Sequence, residues 1–336
     1  MGQDKIDVAP LRAGMIGVAH AHAWGKVQAI NASTDMQLAG VFEPDVAEWD
    51  RWSGRHDIGG IPRLSSRDIL EDSSIEVVFV ETHPRDNLRW AREALDHGKH
   101  VHLDKAPAPV LNDLRAVLNQ AADRGLCVQM GYQFRYNPAI ELARLAVRDH
   151  WLGPVSRIHA DIPTNVGAYA DQRDTVGTYA GGIFFELGCH LLDLVILILG
   201  KPSGVWSTLR ADARQQGEVF VDNTTAVLEY PNALAIVQAW ITGPEPSRHR
   251  RFEIIGEQGV LLIEPIEPPS IRLYLSQPTG TFPTGWSSPY VKMRPRYEAD
   301  IADFAACIRG DGTSVFGGEH DMAVHETLLR ICGVST

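Results

Sequence analysis

Residues 11–132 alternate short strand-like runs with apolar centres and segments of helical periodicity, and this alternation constrains the fold more than any other feature. The apolar runs occupy residues 13–19, 36–44, 75–82, 99–106 and 126–132. Strands that are apolar along their whole length are buried on both faces, which is typical of a parallel sheet covered by helices. We therefore predict an α/β fold with an N-terminal, doubly wound Rossmann-type domain over residues 1–132.

The pattern changes after residue 132, where longer segments with period-two polarity begin. Such alternation is typical of antiparallel strands with one solvated face. We predict a C-terminal α+β domain over residues 133–336 with a mainly antiparallel sheet, one long helix at 181–200, and final helices that pack back on the first domain. Trp206, Val237 and Trp240 are expected on the wetter face, where they would form a homo-oligomer interface in a dimer or tetramer.

Charge and cysteine content restrict the class of partner. A net charge of −11 argues against nucleic acid, and no apolar run is long enough to span a bilayer. The four cysteines are scattered without a C-x-x-C pair, as expected for reduced thiols in the cytoplasm. We expect a cytoplasmic protein that binds a small-molecule substrate, with neither nucleic acid nor membrane as a partner.

The loop after the first strand is an altered phosphate-binding fingerprint. The pattern G-x-G-x-x-G becomes Gly17, Ala19 and His22, so only the first glycine remains. Glu43 ends the second strand, where an acid can bind an adenosine ribose and would repel a 2′-phosphate, which favours NAD over NADP. Alternatively, Glu43 is only a helix-start acid. The predicted cofactor contacts are Gly17, Ala19, His20, His22, Glu43, Thr82, His83, Asp104 and Lys105.

Two further parts of the sequence are predicted to supply catalytic groups, the end of the fourth strand and the helix after residue 181. Lys105 follows a buried strand, where it could contact cofactor and substrate oxygen, unless it is a surface lysine in a loop. Glu186, His190 and Asp193 are spaced i, i+4 and i+7, so one face of the predicted helix would present all three. A carboxylate beside a histidine supports a general base, although a structural pair in the core is the alternative.

In order and spacing, these motifs resemble the Gfo/Idh/MocA oxidoreductases. The resemblance rests on Gly17 and on the segments 131–139 and 181–194. It also rests on Asp104 and Lys105, which stand where the family has the Glu and Lys of a Glu-Lys-Pro motif. It implies that Lys105 lies by the nicotinamide, that Glu186 is the acid of the later helix, and that His190 is the proposed catalytic base. The substrate contacts predicted beside these catalytic groups are Arg135, Tyr136, Gly182 and Asp193.

The leading functional prediction is an NAD(P)-dependent oxidoreductase that acts on a hydroxyl or keto carbon of a sugar, polyol or related compound. Imidazole and carboxylate groups at strand ends allow a second interpretation, a hydrolase or lyase that depends on a divalent metal. The candidate ligands for that metal are His20, His22, Glu81, His83, His102, Asp104 and His190. A third interpretation is a non-catalytic sensor of sugar or dinucleotide.

Overall fold

The computed structural model describes residues 9–165, 176–212, 220–241, 243–311 and 316–335. The chain divides into two compact units. The first comprises Met1–Gly131 and Pro295–Gly318, and the second comprises Tyr132–Arg294 and Glu319–Thr336. Within the described ranges, no helix is both long enough and apolar enough to cross a membrane.

The first unit is a parallel sheet with helices between its strands. The strands are β1 (Leu11–Ile16), β2 (Met36–Phe42), β3 (Val77–Val80), β4 (His100–Leu103) and β5 (Val128–Met130). The helices are α1 (Ala23–Ala32), α2 (Val46–Arg55), α3 (Ser66–Leu70), α4 (Pro84–Asp96) and α5 (Leu111–Asp123), joined by the late helix Glu298–Arg309. These elements confirm the predicted doubly wound α/β domain.

The strand order is β2-β1-β3-β4-β5, and every neighbouring pair is parallel. Because β1 lies between β2 and β3, the direction in which strands are added reverses at β1. Ligands of open parallel sheets bind outside the carboxyl ends of the strands at such a reversal. The loops after β1 and β3 therefore mark the place for a site in this unit.

Helix α1 covers one face of the sheet through an apolar stripe. Ala23, Val27 and Ile30 are fully buried, and they belong to the same core cluster as Phe304 of the late helix. Lys26 lies on this stripe and is fully buried as well. A lysine in such a place needs charged partners, because burying an unpaired ammonium is costly.

The second unit is built on a mainly antiparallel sheet. Its strands are β6 (Val155–Pro163), β7 (Gly204–Arg210), β8 (Asn223–Glu229), β9 (Leu234–Trp240), β10 (Arg251–Gly256), β11 (Gly259–Ile263), β12 (Ile271–Leu275) and β13 (Gly285–Ser287). The order is β13-β12-β11-β10-β6-β9-β8-β7, with β6 and β9 the parallel pair. Its helices include α6 (Pro138–Arg148), α7 (Cys189–Leu199) and the last helix, Gly318–Ile331. The predicted antiparallel character is confirmed.

The prediction of one α-helix over residues 181–200 is wrong at its start. A π-helical turn, Phe184–Gly188, precedes α7. Gly181 and Gly182 have φ angles of 88° and 44°, which an α-helix does not contain. Gly182 must also remain glycine, because a Cβ there would lie 2.3 Å from the carbonyl oxygen of Val221.

The placement of Val237 on the wetter sheet face is also wrong. Trp206 pairs with Val227, which in turn pairs with Ile236, so these three side chains share one face. Val237 is the next residue and points to the opposite, buried face, where its exposure is 0%. Trp206 is 67% exposed, and Trp240 is half-buried on the same face as Ile236.

Candidate active site

Gly17 ends β1 in a conformation that only glycine adopts easily. Its φ angle is +90°, and a Cβ at this position would lie 2.5 Å from Thr82 Cγ2 and 2.6 Å from the Thr82 backbone nitrogen. The first glycine of the fingerprint is therefore kept because the loops after β1 and β3 touch at this point.

Glu43 braces the same loop from the end of β2. Its Oε2 accepts a hydrogen bond from the backbone N–H of Val18 at 2.7 Å, and its Oε1 accepts one from Asp45 N–H at 2.9 Å. Burial raises the pKa of Glu43, and the two N–H donors oppose that rise. Glu43 is therefore part of the loop's framework as well as a candidate ligand for ribose.

A pocket of about 400 Å³ opens at the strand-order reversal. The lining residues are Ala19, Glu43, Pro44, Asp45, Val46, Thr82, His83, Arg85, Asp86, Arg89 and Trp90. Four of the predicted cofactor contacts, Ala19, Glu43, Thr82 and His83, are thus brought together. The volume is in the range of small-molecule sites, and arginine and carboxylate groups share its wall.

The start of α1 differs from a glycine-rich anion site, because His20 accepts hydrogen bonds from two of the backbone N–H groups at the helix start. The backbone N–H of His22 donates to His20 Nδ1 at 3.3 Å, and the N–H of Ala23 donates to the His20 carbonyl at 3.1 Å. An anion at this helix start would therefore meet imidazole groups in addition to backbone donors.

Behind this loop lies a buried group of ionisable side chains, which we call the Asp104 cluster: His20, His22, Lys26, Glu81 and Asp104. Three nitrogen atoms lie close to one oxygen, Asp104 Oδ2, at 2.8 Å for His20 Nδ1, 3.2 Å for His22 Nδ1 and 3.3 Å for Lys26 Nζ. Lys26 Nζ also lies 2.5 Å from Glu81 Oε1. Asp104 is therefore the centre of the cluster.

The protonation states in the cluster follow from burial and neighbouring charge. Burial and the adjacent Asp104 carboxylate raise the pKa of Glu81 well above its usual range. Burial lowers the pKa of His22 to about 3, so this imidazole is neutral. Burial also opposes the charge of Lys26, but Asp104 and Glu81 outweigh it and raise the Lys26 pKa. Lys26 is thus the fixed cation of the cluster.

A second layer extends the cluster to the late helix. His102 Nε2 lies 3.1 Å from Asp300 Oδ2, and His102 Nδ1 lies 3.4 Å from Lys26 Nζ. Gln129 Nε2 donates to Asp300 Oδ1 at 2.6 Å. Burial lowers the pKa of His102, so Asp300 faces a neutral imidazole and the nearby ammonium.

Part of the predicted metal-ligand set converges. One ligand atom each from His20, His22 and Asp104 lies within 4.8 Å of the other two. The remaining predicted ligands have other neighbours: Glu81 holds Lys26, His102 pairs with Asp300, His83 lies 3.8 Å from Glu48, and His190 belongs to the second unit.

Lys105 is 1% exposed, so it is not a surface lysine. Its backbone N–H donates to Asp104 Oδ1 at 2.6 Å. Asn87 of α4 holds the segment that follows: its Nδ2 donates to the carbonyls of Asp104 and Ala106 at 3.3 and 3.4 Å, and its Oδ1 accepts from Ala108 N–H at 3.2 Å. The turn that carries Lys105 is therefore anchored on both sides.

In the second unit, His190 lies on α7 and is 1% exposed. Its ring centroid is 5.4 Å from that of Phe134 and 6.1 Å from that of Tyr132. Glu186 is buried in the preceding π-helical turn, and Tyr136 is half-buried at the end of the 3₁₀ turn Gln133–Tyr136. An aromatic wall thus encloses the predicted base.

Arg135 and Asp193 form a closed ion pair. Arg135 Nη2 lies 2.6 Å from Asp193 Oδ1 and 2.6 Å from Asp321 Oδ1, and His320 Nε2 lies 2.8 Å from Asp193 Oδ1. Arg135 and Asp193 side chains both have an exposure of 0%. Their charges are thus compensated within this buried group, and the substrate contact predicted for Arg135 and Asp193 stays a prediction.

Sequence reasoning missed Lys26, Asn87 and Asp300. A signal existed for Lys26, since it follows Ala23 by three residues and adjoins Val27 on the apolar stripe of α1. Asn87 and Asp300 carry no such local signal, because their partners come from β4 and the segments around it, far away in the chain.

Two family models match the chain. Residues 11–132 match the model described as the oxidoreductase family with an NAD-binding Rossmann fold, and residues 140–262 match the GFO/IDH/MocA C-terminal domain. The matched ranges lie in the first and second units, respectively.

Two named proteins are similar to this chain in sequence, and a solved structure is similar to it in fold. The chain is 28% identical over 241 residues to D-xylose 1-dehydrogenase (NADP(+)) 2 of Haloferax volcanii, covering 70% of this chain and 71% of the relative. It is 25% identical over 228 residues to trans-1,2-dihydrobenzene-1,2-diol dehydrogenase of Bos taurus, covering 63% and 65%. UDP-N-acetylglucosamine 3-dehydrogenase GnnA from Acidithiobacillus ferrooxidans has a similar fold, with a TM-score of 0.78, 20% identity and 96% and 97% coverage.

Proposed function

The chain belongs to the Gfo/Idh/MocA family of NAD(P)-binding oxidoreductases, and we propose that it transfers a hydride between a nicotinamide cofactor and a hydroxyl or keto carbon of a sugar, polyol or related compound. The relatives named for D-xylose and for a dihydrodiol support a hydroxyl-bearing substrate. Membership in an oxidoreductase family argues against the two alternatives, a metal-dependent hydrolase or lyase and a non-catalytic sensor.

The observation that carries the proposal is the pocket at the strand-order reversal beside Gly17. The space that a Cβ of Gly17 would fill is taken by Thr82, so the loop keeps the close turn that a dinucleotide site requires. Gly17, Ala19, His20, His22, Thr82, His83 and Asp104 would hold the cofactor from this side. The residues present therefore fit a dinucleotide despite the loss of two glycines.

We propose NAD as the preferred cofactor because Glu43 lies in the pocket wall, where its carboxylate would accept hydrogen bonds from the ribose and repel a 2′-phosphate. Arg85 and Arg89 line the same pocket and would favour a phosphate. The Haloferax relative carries NADP(+) in its name. The comparison of the two cofactors is therefore a direct test of Glu43.

Three residues would perform the chemistry around the substrate. When bound, the nicotinamide supplies or accepts the hydride. His190 would exchange the hydroxyl proton, and the buried Glu186 would favour the imidazolium form of that histidine. Lys105 would hold the reacting oxygen and stabilise negative charge as it develops there. Gly182 and Tyr136 belong to the proposed substrate side in the second unit.

The remaining proposals concern the setting of the enzyme. The four cysteines are thiols, not disulfides, which supports a cytoplasmic location. Trp206, which is 67% exposed on the edge strand β7, supports a homo-oligomer. Small molecules remain the proposed partners.

The test is a titration of the protein into NADH and NADPH, followed by nicotinamide fluorescence, and then an assay with pentoses, hexoses and polyols plus oxidised cofactor. We expect saturable binding of NADH and reduction of NAD by at least one hydroxyl substrate. Folded protein that binds neither cofactor at millimolar concentration would refute the proposal.

A further inference from the structure

We propose that His20, His22 and Asp104 form a binding site for a divalent transition-metal ion of the zinc type. One nitrogen from each imidazole and one oxygen from the carboxylate lie within 4.8 Å of one another. The distances from Asp104 Oδ2 to His20 Nδ1 and His22 Nδ1 are 2.8 and 3.2 Å. Zinc ligands lie about 2.0–2.2 Å from the ion, so two of them stand about 3–3.5 Å apart.

Charge is the second, independent observation. Glu81, Asp104 and Asp300 offer three carboxylates to the buried region around Lys26, and Lys26 supplies one ammonium. Three carboxylate groups therefore stand around one ammonium group in this buried part of the first unit. Buried charge of this kind is costly unless it gains a proton or a cation. A divalent ion would balance this excess of carboxylate groups over ammonium groups.

A second histidine–carboxylate group in the chain shows what a filled counterpart looks like. Asp193, His320 and Asp321 also lie within ligand distance of one another. There, however, the Arg135 guanidinium lies 2.6 Å from both carboxylates of the group, whereas Lys26 Nζ lies 3.3 Å from Asp104 Oδ2 and is closer to Glu81, which is not one of the three proposed ligands. The same kinds of residue therefore provide a matched control, which we expect to bind no ion.

The ligand types select the ion. Two imidazole nitrogens and one carboxylate oxygen suit Zn²⁺, Fe²⁺, Co²⁺ or Mn²⁺ better than Mg²⁺ or Ca²⁺, which prefer oxygen ligands alone. Three protein ligands leave a fourth position of a tetrahedral ion open. His22 is half-buried at the start of α1, next to the loop after β1.

The place of the ion suggests what it does, and this consequence rests on the proposed cofactor binding. The site lies in the altered fingerprint, where the glycines that approach a pyrophosphate have been replaced. A bound dication would supply the positive charge that favours phosphate oxygens. Zinc should therefore strengthen NADH binding in the parent protein but not in a variant that lacks an imidazole ligand.

The test of the site itself uses no nicotinamide. Protein stripped with chelator is dialysed against Zn²⁺, bound zinc is counted by elemental analysis, and Co²⁺ is added separately so that its visible absorption reports nitrogen and oxygen ligation. We expect one equivalent in the parent. Loss of a residue that only supports a ligand costs about 10–100-fold in metal affinity, so His20→Gln and His22→Gln should each cost at least that much. His320→Gln should bind zinc as the parent does.

Lys26→Met adds a test in which all three proposed ligands remain, so its result does not depend on whether the His20 and His22 variants fold. Removing the ammonium leaves the carboxylates without their cation, so Zn²⁺ should raise the thermal midpoint of this variant more than that of the parent. No bound zinc in the parent, undiminished binding in the folded His20 and His22 variants, or equal loss in His320→Gln would overturn the site. Zinc binding that leaves NADH affinity unchanged would overturn the phosphate role alone, and NADH binding without any zinc would leave the proposed function standing.

Discussion

Glu43 Oε2 accepts the backbone N–H of Val18 at 2.7 Å, and this bond ties the end of β2 to the loop that follows β1. The two strands are neighbours in the sheet, so the acid at the end of one can fix the backbone at the end of the other. The same carboxylate lines the pocket proposed for the cofactor. One residue thus combines a framework role with the proposed role in cofactor recognition.

Glu43→Ala should weaken NADH binding and shift the preference towards NADPH. A hydrogen bond to a charged group contributes about 1.5–3 kcal/mol, which corresponds to roughly 10–100-fold in affinity. Glu43→Gln keeps one acceptor oxygen for a backbone N–H and loses the charge, so it should change the NADH to NADPH ratio with less damage to stability. Fluorescence titration of both cofactors measures the ratio, and an unchanged ratio in both variants would show that Glu43 does not read the ribose.

Gly17→Ala should destabilise the first unit more than an ordinary positive-φ glycine does. Gly98 also has a positive φ, +73°, but its Cβ would meet nothing within 4 Å. Strain from φ alone costs about 1–2 kcal/mol, and Gly17→Ala adds a collision with the Thr82 backbone. Denaturant unfolding of Gly17→Ala and Gly98→Ala compares the two directly. Equal losses would mean that the contact with Thr82 relaxes at little cost.

His190→Ala should lower the turnover rate and leave cofactor affinity nearly intact. General acid–base catalysis contributes about 10²–10⁴-fold, and a loss of that size is expected in kcat. Exposed His249 supplies a control, since His249→Ala should change neither quantity. Full activity in His190→Ala would remove this histidine from the reaction.

Lys105→Ala should reduce both turnover and cofactor binding, because this lysine is proposed to contact both the cofactor and the substrate oxygen.

Asp193→Asn should be strongly destabilising because it leaves the Arg135 guanidinium with an incomplete partner in a fully buried site. Breaking a buried ion pair costs about 3–5 kcal/mol, whereas loss of the exposed Arg148–Asp149 pair should change stability little, because solvent screens it. Although burial opposes its charge, Arg135 lowers the folded-state pKa of Asp193.

The pH dependence of that effect has a definite sign. An aspartate with a lowered folded-state pKa adds stability above its unfolded value of about 4, and this contribution is lost as pH falls through the folded value. The stability gap between the parent and Asp193→Asn should therefore narrow below about pH 4. Unfolding free energies measured from pH 7 downwards check this, and a gap that is constant with pH would contradict the ion-pair account.

Trp206→Glu should dissociate the proposed oligomer. Trp206 is 67% exposed on the β7 side of the second sheet, where a large apolar side chain gains from burial against another subunit. Tyr290 is 88% exposed and lies outside the strands, so Tyr290→Glu is the matched control. Light scattering reports the mass of each variant. A monomeric parent at working concentration would refute the interface.

Local patterns predicted more of the fold than of the site. The period-two signal placed Trp206 on the open face correctly. It also puts Val237 and Trp240, three residues apart in β9, on opposite faces, and the cross-strand pairing shows that Val237 is the one that points inwards. The spacing of Glu186 and His190 assumed an α-helix, whereas two left-handed glycines and a π-helical turn begin that segment.

The sequence alone determined the two sheet types, because the periodicity of polar and apolar residues is a property of a short stretch of chain. The reversal of strand order at β1 and the contact between Gly17 and Thr82 belong to the tertiary structure. Only the tertiary structure decided that Lys26, Glu81 and Asp104 share one buried cluster and that Arg135 faces Asp193. The physical reason is that a charge is stable inside a protein only through partners in space, and those partners come from elements far apart in the chain.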